Sequence, residues 1–274
     1  MSLSFNDVVR ILAEGKISSP RLEARILFEY LEVDQFAPVD GAQEVRLREL
    51  LRKRLAHAPL DKILGKREFY KNTFAVGKDV LTPRPDTEVL VEAAIELIPK
   101  KIPQKILDLG TGSGCILLSV LGDCPKACGM AIDKSEAALA VARHNAEALG
   151  MSNRVTFMNA SWFDADFEEH VGVGFDIIVS NPPYIPTSDI LTLEPEVRQY
   201  DPILALDGGK DGFEHYQKIA ELSPHLLKQG GYILLEAGQG QAQRIAEIFE
   251  HEGLHLSEIR PDLSGIERCV ILKK

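Results

Sequence analysis

The stretch Lys105-Ile106-Leu107-Asp108-Leu109-Gly110-Thr111-Gly112-Ser113-Gly114-Cys115 constrains this chain most. An apolar strand runs into three alternating glycines and then into Ile116-Leu117-Leu118-Ser119-Val120-Leu121, which reads as a helix. Glycine reaches backbone torsions closed to other residues and lets the main chain approach a ligand, so this passage is a ligand-binding turn of a parallel α/β sheet. A dinucleotide fingerprint needs G-x-G-x-x-G. Here the third glycine comes one residue early and Cys115 stands in the expected place, which argues against a dehydrogenase. The next apolar run, Gly129-Met130-Ala131-Ile132, ends in Asp133, where a carboxylate can accept from both hydroxyls of a ribose. The loop and Asp133 together favour a nucleoside ligand; a solvated strand-end carboxylate is the plainer alternative.

A second strand-like run, Phe175-Asp176-Ile177-Ile178-Val179, leads into Ser180-Asn181-Pro182-Pro183-Tyr184. Prolines fix φ and have no N–H, so this turn is stiff and leaves carbonyls without a ladder partner. Asn181 and the Pro182 carbonyl can accept from a planar NH₂ group while Tyr184 covers its face, which is a way to hold a reluctant nitrogen nucleophile. An ordinary Pro-rich strand exit is the alternative for these residues taken alone.

From Lys105 onward strands alternate with helices, with strands expected at 105–109, 128–132, 154–158, 175–180, 230–236, 254–260 and 267–273. Such alternation predicts a doubly wound sheet, and the last two strands, with no helix between them, predict an antiparallel edge hairpin. Its switch point lies beyond the first and fourth strands, where Gly110–Gly114 and Asn181–Tyr184 would meet. Trp162-Phe163 follows the third strand, so the indole is either a packing residue or a stacking surface at the ligand rim.

Ahead of the sheet, apolar residues recur at helical spacing: Val8, Val9, Ile11 and Leu12, then Leu22, Ile26, Leu27 and Leu31, then Leu47, Leu50, Leu51 and Leu55. Breaks fall at Ser18-Ser19-Pro20, at Pro38-Val39-Asp40-Gly41 and near Pro59. Phe69, Phe74, Val76 and Val80 then alternate with polar residues, predicting a β-hairpin linker. Thr82-Pro83-Arg84-Pro85 cannot be helical, and a helix should start near Thr87-Glu88. The expected organisation is a helical domain over 1–67, a hairpin linker over 68–84 and the sheet domain over 85–274.

Charge bears on the substrate. The chain carries 31 Lys and Arg against 41 Asp and Glu. Residues 1–75 hold 13 against 11, leaving 18 against 30 for the remainder. A catalytic domain this acidic would repel a phosphate backbone, so no direct nucleic-acid binding is expected. Cys115, Cys124, Cys128 and Cys269 have neither disulfide nor zinc spacing, and no metal site is expected. The N-terminus lacks a basic segment followed by an apolar core, and no apolar run approaches the roughly 20 residues of a membrane span, so the expectation is a cytoplasmic protein.

These residues resemble the class I S-adenosylmethionine-dependent methyltransferases, and more narrowly the protein-(glutamine-N5) methyltransferases that modify peptide chain release factors. The likeness rests on Gly65-Lys66-Arg67-Glu68-Phe69-Tyr70, Leu81-Thr82-Pro83-Arg84-Pro85-Asp86-Thr87-Glu88, Asp108 to Gly114, Asp133, Asn145-Ala146, Trp162-Phe163, Asn181 to Tyr184 and Asp262-Leu263-Ser264-Gly265-Ile266-Glu267-Arg268. It covers most of the chain from about residue 60 onward. Asn-Pro-Pro-Tyr alone is shared with adenine- and cytosine-amino methyltransferases; the PRPxTE segment and the helical leader narrow the acceptor to glutamine.

The resemblance implies a Rossmann-like, seven-stranded sheet with an antiparallel edge hairpin, preceded by a small all-α domain that docks the release factor. It implies S-adenosylmethionine as methyl donor, with S-adenosylhomocysteine as product, held by Asp108, Gly110, Thr111, Gly112, Ser113, Gly114, Asp133, Trp162 and Asn181. Asn181, Pro182 and Tyr184 would be catalytic. Arg84, Asn181, Pro182, Pro183 and Tyr184 would bind the glutamine of a class 1 release factor, the chain acting as a monomer. The family commonly has Asp before the Trp, and Ser161 stands there in this chain, which puts one polar contact to adenine in doubt. No general base is assigned; Asp176 and Glu236 read as structural acids. Two other readings stay open on the residues: an adenine-N6 methyltransferase of nucleic acid, which would need a basic face, and a nucleoside-binding module without turnover, which would be expected to have lost Asn181 or the glycines.

Overall fold

The computed structural model describes residues 2–37 and 39–274. Its packing divides them into two units, residues 2–65 with Glu194–Tyr200, and the remainder.

In the first unit, α1 (Phe5–Glu14), α2 (Pro20–Tyr30) and α3 (Gly41–Leu55) are followed by the short α4 (Leu60–Leu64). Each begins where local chemistry favours it. Ser4 and Asp7 close a reciprocal capping box on α1, Pro20 opens α2 with its fixed φ, and the Asp40 side chain accepts from the Gln43 amide at 2.9 Å to cap α3. Of the break expected at Pro38-Val39-Asp40-Gly41, Pro38 lies outside the described residues. Val8, Leu12, Leu27, Leu47 and Leu50 are fully buried in one core. Helices this short are unstable alone, and burial of about 1.5–3 kcal/mol per such side chain holds them together.

The same unit takes in α9 (Pro195–Tyr200), a helix more than a hundred residues away in the chain. Arg54, 3% exposed, donates to Glu23 at 2.6 Å and to the Ala58 carbonyl at 3.2 Å, and pairs with Glu196 of α9 at 2.7 Å. The Tyr200 hydroxyl donates to the Ala56 carbonyl at 2.8 Å, and Lys62 Nζ to the Tyr200 carbonyl at 2.5 Å. Sequence patterning places nothing from this region in the helical domain.

The second unit opens with a hairpin of β1 (Lys66–Phe69) and β2 (Asn72–Ala75). The linker expected over 68–84 is therefore corrected: the strands pair between Lys66 and Ala75, and they belong with the sheet unit. The hairpin ends at Ala75 because the Asn145 side chain there replaces a strand partner, accepting from the Ala75 amide at 2.7 Å and donating to its carbonyl at 3.1 Å. Val76 and Val80, which look like strand positions, instead pack against Ala138.

The main sheet consists of β3 (Lys105–Leu109), β4 (Cys128–Asp133), β5 (Val155–Asn159), β6 (Phe175–Ser180), β7 (Leu227–Glu236), β8 (His255–Pro261) and β9 (Glu267–Lys273). Their order is β5-β4-β3-β6-β7-β9-β8, parallel except for β9, which runs against both of its neighbours. Successive residues in a strand face opposite sides, so Leu107, Ile178 and Leu235 join one core while Ile106, Ile177 and Leu234 join the other. The first core is covered by α8 (Phe167–Val171), α10 (Glu214–Leu226) and α11 (Ala242–His251). The second is covered by α5 (Glu88–Leu97), α6 (Cys115–Asp123) and α7 (Glu136–Ala148). The order turns back between β3 and β6, which opens a crevice beyond their C-terminal ends.

Candidate active site

Both segments singled out in the sequence end in this crevice. Leu109 pairs with Ser180, and the buried Ser180 hydroxyl donates to the Leu109 carbonyl at 2.6 Å, which locks the two strand exits together. Gly110, Thr111, Gly112 and Ser113 on one side, and Asn181 and Pro183 on the other, line a single cavity. Asp133, Trp162 and Arg84 also line it.

The three glycines serve different needs. All have positive φ, at 76°, 55° and 80° for Gly110, Gly112 and Gly114. A Cβ on Gly110 would stand 3.3 Å from the Trp162 ring, and one on Gly114 would meet Leu118 at 3.0 Å and Ala142 at 3.3 Å. A Cβ on Gly112 would meet nothing within 4 Å, so this residue faces open space where a ligand can approach the main chain. The loop hangs from β4, since the Gly110 and Thr111 amides both donate to the Ile132 carbonyl at 2.9 Å.

Asp133 fastens the loop further: one carboxylate oxygen accepts from the Gly112 amide and the other from the Ser135 amide, each at 2.9 Å. Every carboxylate oxygen has more than one lone pair, so both keep capacity for a ribose hydroxyl. Burial raises its pKa, opposed by these two hydrogen bonds.

Asp108 does not reach the cavity wall. It is fully buried behind the loop, where it accepts from the Thr111 hydroxyl at 2.6 Å. Burial pushes its pKa up to about 7, against the Thr111 hydrogen bond and assisted by the charge of Asp133. Gly114, Pro182 and Tyr184 adjoin the lining residues Ser113, Asn181 and Pro183 in the chain, and the Tyr184 carbonyl accepts from Gln241 Nε2 at 3.1 Å.

Trp162 is held by a residue that sequence reasoning missed. His215 of α10, which also lines the cavity, accepts from the indole Nε1 at 3.2 Å and meets the ring edge-on at 5.5 Å between centroids. A lone histidine 53 positions away carries no pattern that would reveal this. Ser161 lines the cavity as well; its hydroxyl accepts from the Phe163 amide at 3.3 Å, and Asp164 turns back to accept from the Ser161 amide at 2.9 Å.

Arg84 pairs with the buried Asp201 at 3.4 Å, and Pro202, Leu204 and Ala205, just past that anchor, complete the wall. Thr87 donates at 2.5 Å to Glu236, a buried carboxylate at the end of β7. Asp176 sits at the other end of β6, accepting from the Lys105 amide at 2.7 Å and from Lys228 at 2.6 Å. It therefore ties strands together, away from the crevice.

A family model for the methyltransferase small domain matches residues 86–193. The release factor glutamine methyltransferase of Rhodospirillum rubrum is 43% identical over 268 residues, covering 94% of this chain and 80% of that protein. That of Caulobacter vibrioides is 39% identical over 271 residues, covering 95% and 91%. A solved methyltransferase structure from Pyrococcus furiosus shares the fold, with a TM-score of 0.53 and 21% identity over 84% of this chain and 98% of that one.

Proposed function

Because the chain belongs to the release factor glutamine methyltransferase family, we propose that it transfers a methyl group from S-adenosylmethionine to the side-chain amide nitrogen of the GGQ-motif glutamine in class 1 release factors. The observation that carries this reading is the joining of β3 and β6 at Leu109 and Ser180, which turns a glycine loop and an acceptor-rich Asn-Pro-Pro turn onto one cavity.

The cavity fits the cofactor. Gly112 leaves its main chain open, Asp133 keeps lone pairs for ribose hydroxyls, and the Trp162 ring over Gly110 supplies an aromatic face for the base. S-adenosylmethionine supplies an activated methyl on a sulfonium, so the protein has to align the reacting atoms and needs no covalent nucleophile. The amide nitrogen of glutamine is a poor nucleophile because its lone pair is delocalised into its carbonyl. Asn181 Oδ1 and the Pro182 carbonyl accept from its two N–H groups, raising its electron density and stabilising the positive charge that grows on it. No side chain is assigned as a general base; the product loses its proton to water.

Among the described residues no helix is long and apolar enough to cross a membrane. The acidic sheet unit supports a protein substrate over nucleic acid, and a cytoplasmic monomer acting on free release factor is the simplest form of the proposal. Incubation with labelled S-adenosylmethionine tests it against intact release factor, a variant lacking the GGQ glutamine, and duplex DNA. Label should enter the first alone; equal labelling of the glutamine-free variant would overturn the acceptor, and labelling of DNA would restore the adenine reading.

A further inference from the structure

Glu236 is a buried acidic side chain at the end of β7, beside the acceptor turn. Val179 pairs with Leu234 and Ser180 with Leu235, so the next step along β6 and β7 brings Asn181 beside Glu236, and in parallel strands such neighbours point to the same face. Glu236 is 2% exposed, and its main chain is fixed on both sides, by pairing with Cys269 of β9 and by the Tyr216 hydroxyl donating to its carbonyl at 2.7 Å. One carboxylate oxygen is taken by the Thr87 hydroxyl at 2.5 Å. The Asn181 side-chain amide is close enough to the carboxylate to favour its ionised form. Arg268, whose charge acts on Glu236, is occupied elsewhere, donating to Asp262 at 3.3 Å and to the Ala237 carbonyl at 3.0 Å and pairing with Asp86 at 3.5 Å.

An asparagine amide has two ends of nearly equal shape and opposite polarity, and only its hydrogen-bond partners decide which end faces a ligand. An ionised carboxylate accepts and cannot donate. We propose that Glu236 is a positioning residue that, by accepting from Nδ2 of Asn181, keeps Oδ1 turned toward the acceptor nitrogen of the substrate. The inference rests on the role given above to Asn181, and it goes beyond that role in naming what fixes the amide. With the amide reversed, an N–H donor would face the N–H groups of the substrate and the turn would repel what it is built to hold.

The arrangement depends on the charge of Glu236, because a protonated carboxyl can donate to Oδ1 and favour the reversed amide. Burial pushes this group up to about 7, opposed by the Thr87 hydrogen bond, the positive charge of Arg268 and the Asn181 amide, while Asp86 adds to the rise. The other ionisable groups around it are Tyr184 after β6, Tyr216 of α10, Cys115 at the start of α6 and Cys269 of β9. Since the working form is the ionised one, methyl transfer should rise with pH through about 7 and level off above it.

Single-turnover methylation of intact release factor at saturating cofactor, from about pH 5.5 to 9, tests this alongside calorimetric cofactor binding. Glu236→Leu should slow transfer tenfold or more at every pH and leave the cofactor Kd within twofold. Glu236→Gln can still accept from Asn181 through its amide oxygen if Thr87 accepts from its nitrogen, so it should stay active and lose the fall at low pH. Asn181→Ala combined with Glu236→Leu should be no slower than Asn181→Ala alone, since a residue acting through Asn181 has nothing left to orient. A merely structural Glu236 would add its loss to that of Asn181→Ala and weaken the cofactor as well. Parental rates in Glu236→Leu, an unchanged low-pH fall in Glu236→Gln, or additive losses in the pair would each overturn the inference. An Asn181→Ala variant at the parental rate would instead remove the Asn181 reading beneath it.

Discussion

The indole Nε1–H of Trp162 donates to Nδ1 of His215 at 3.2 Å, while Nε2 of the same imidazole lies 3.1 Å from the carbonyl of Asp207. A carbonyl can only accept, so the ring proton sits on Nε2 and Nδ1 is left as the acceptor for the indole. The ring that faces the cofactor loop is thus fixed by a neutral histidine. His215→Phe keeps the edge-on packing and removes the acceptor, so cofactor Kd should rise about fivefold, the equivalent of about 1 kcal/mol for one hydrogen bond. Titration calorimetry reads this directly, and an unchanged Kd would return the pair to plain packing.

The same contact sets a pH dependence. Burial lowers the His215 pKa, against the Asp207 carbonyl and the charges of Glu214 and Asp207, with Lys134 adding to the fall. The folded value lies below the unfolded one, so the contribution is complete above the ordinary imidazole range near 6.5 and is lost as pH falls through the depressed folded value. Trp162 is the one tryptophan in the chain, so intrinsic fluorescence reports this site alone. Emission should change on acidification below about pH 6.5 in the parent and stay flat in His215→Phe; a transition of equal size in both would show that another group is responsible.

Asp133→Ala should raise cofactor Kd by roughly 10- to 100-fold, about 1–3 kcal/mol, because it removes the proposed ribose acceptor together with the anchor for the Gly112 amide. Asp133→Asn keeps one acceptor oxygen and should fall between. Methyl transfer at saturating cofactor should change less than binding. Unaltered cofactor affinity in the Ala variant would discard the ribose assignment.

Asn181→Ala acts on the other side of the cavity and should leave cofactor affinity almost unchanged. Its acceptor matters most as charge develops on the nitrogen, so kcat should drop roughly 10²–10³-fold by analogy with lost oxyanion-hole donors. Single-turnover methylation at the parental rate would sink the central role of the Asn-Pro-Pro turn.

What was legible in the sequence follows from what each signal depends on. β3 and β6 are apolar runs closed by glycine or proline, so their ends agree with the structure to the residue. β7 begins at Leu227 rather than at 230, since a shift of register between Phe175 and Ile177 lets the pairing start ahead of Gly230-Gly231. Val76 and Val80 alternate like a strand but are claimed by α7, a contact no local pattern encodes. Asp108 lies in a strand buried on both faces, where alternation cannot tell which side a carboxylate takes. His215, Glu236 and α9 become meaningful only through partners 50 or more residues distant.

The placement of α9 changes what removal of the leader should do. A chain starting at Lys66 retains Gly110–Gly114, Asp133, Trp162 and His215, so it should still bind S-adenosylmethionine. It also strips α9 of Arg54, Ala56 and Lys62, and a six-residue helix does not persist without packing. Tyr200 is followed at once by Asp201, the buried partner of Arg84, and by the cavity residues Pro202 and Leu204, so loss of activity on release factor has two sources to separate. One is loss of docking surface, since a single glutamine offers few contacts and specificity must come from remote binding energy. The other is loosening of the chain next to Asp201. Arg54→Met in the full chain isolates the second: it should destabilise the helical unit by about 1.5–3 kcal/mol in thermal unfolding, for hydrogen bonds to charged partners, while leaving the leader present. If docking dominates, kcat/KM for intact release factor should fall at least tenfold on truncation and far less in Arg54→Met, with a short glutamine peptide remaining a poor substrate for all three proteins. Equal losses in the truncated chain and in Arg54→Met would assign the effect to α9, and equal efficiency of the truncated and full chains on intact release factor would reduce the leader to a structural cap.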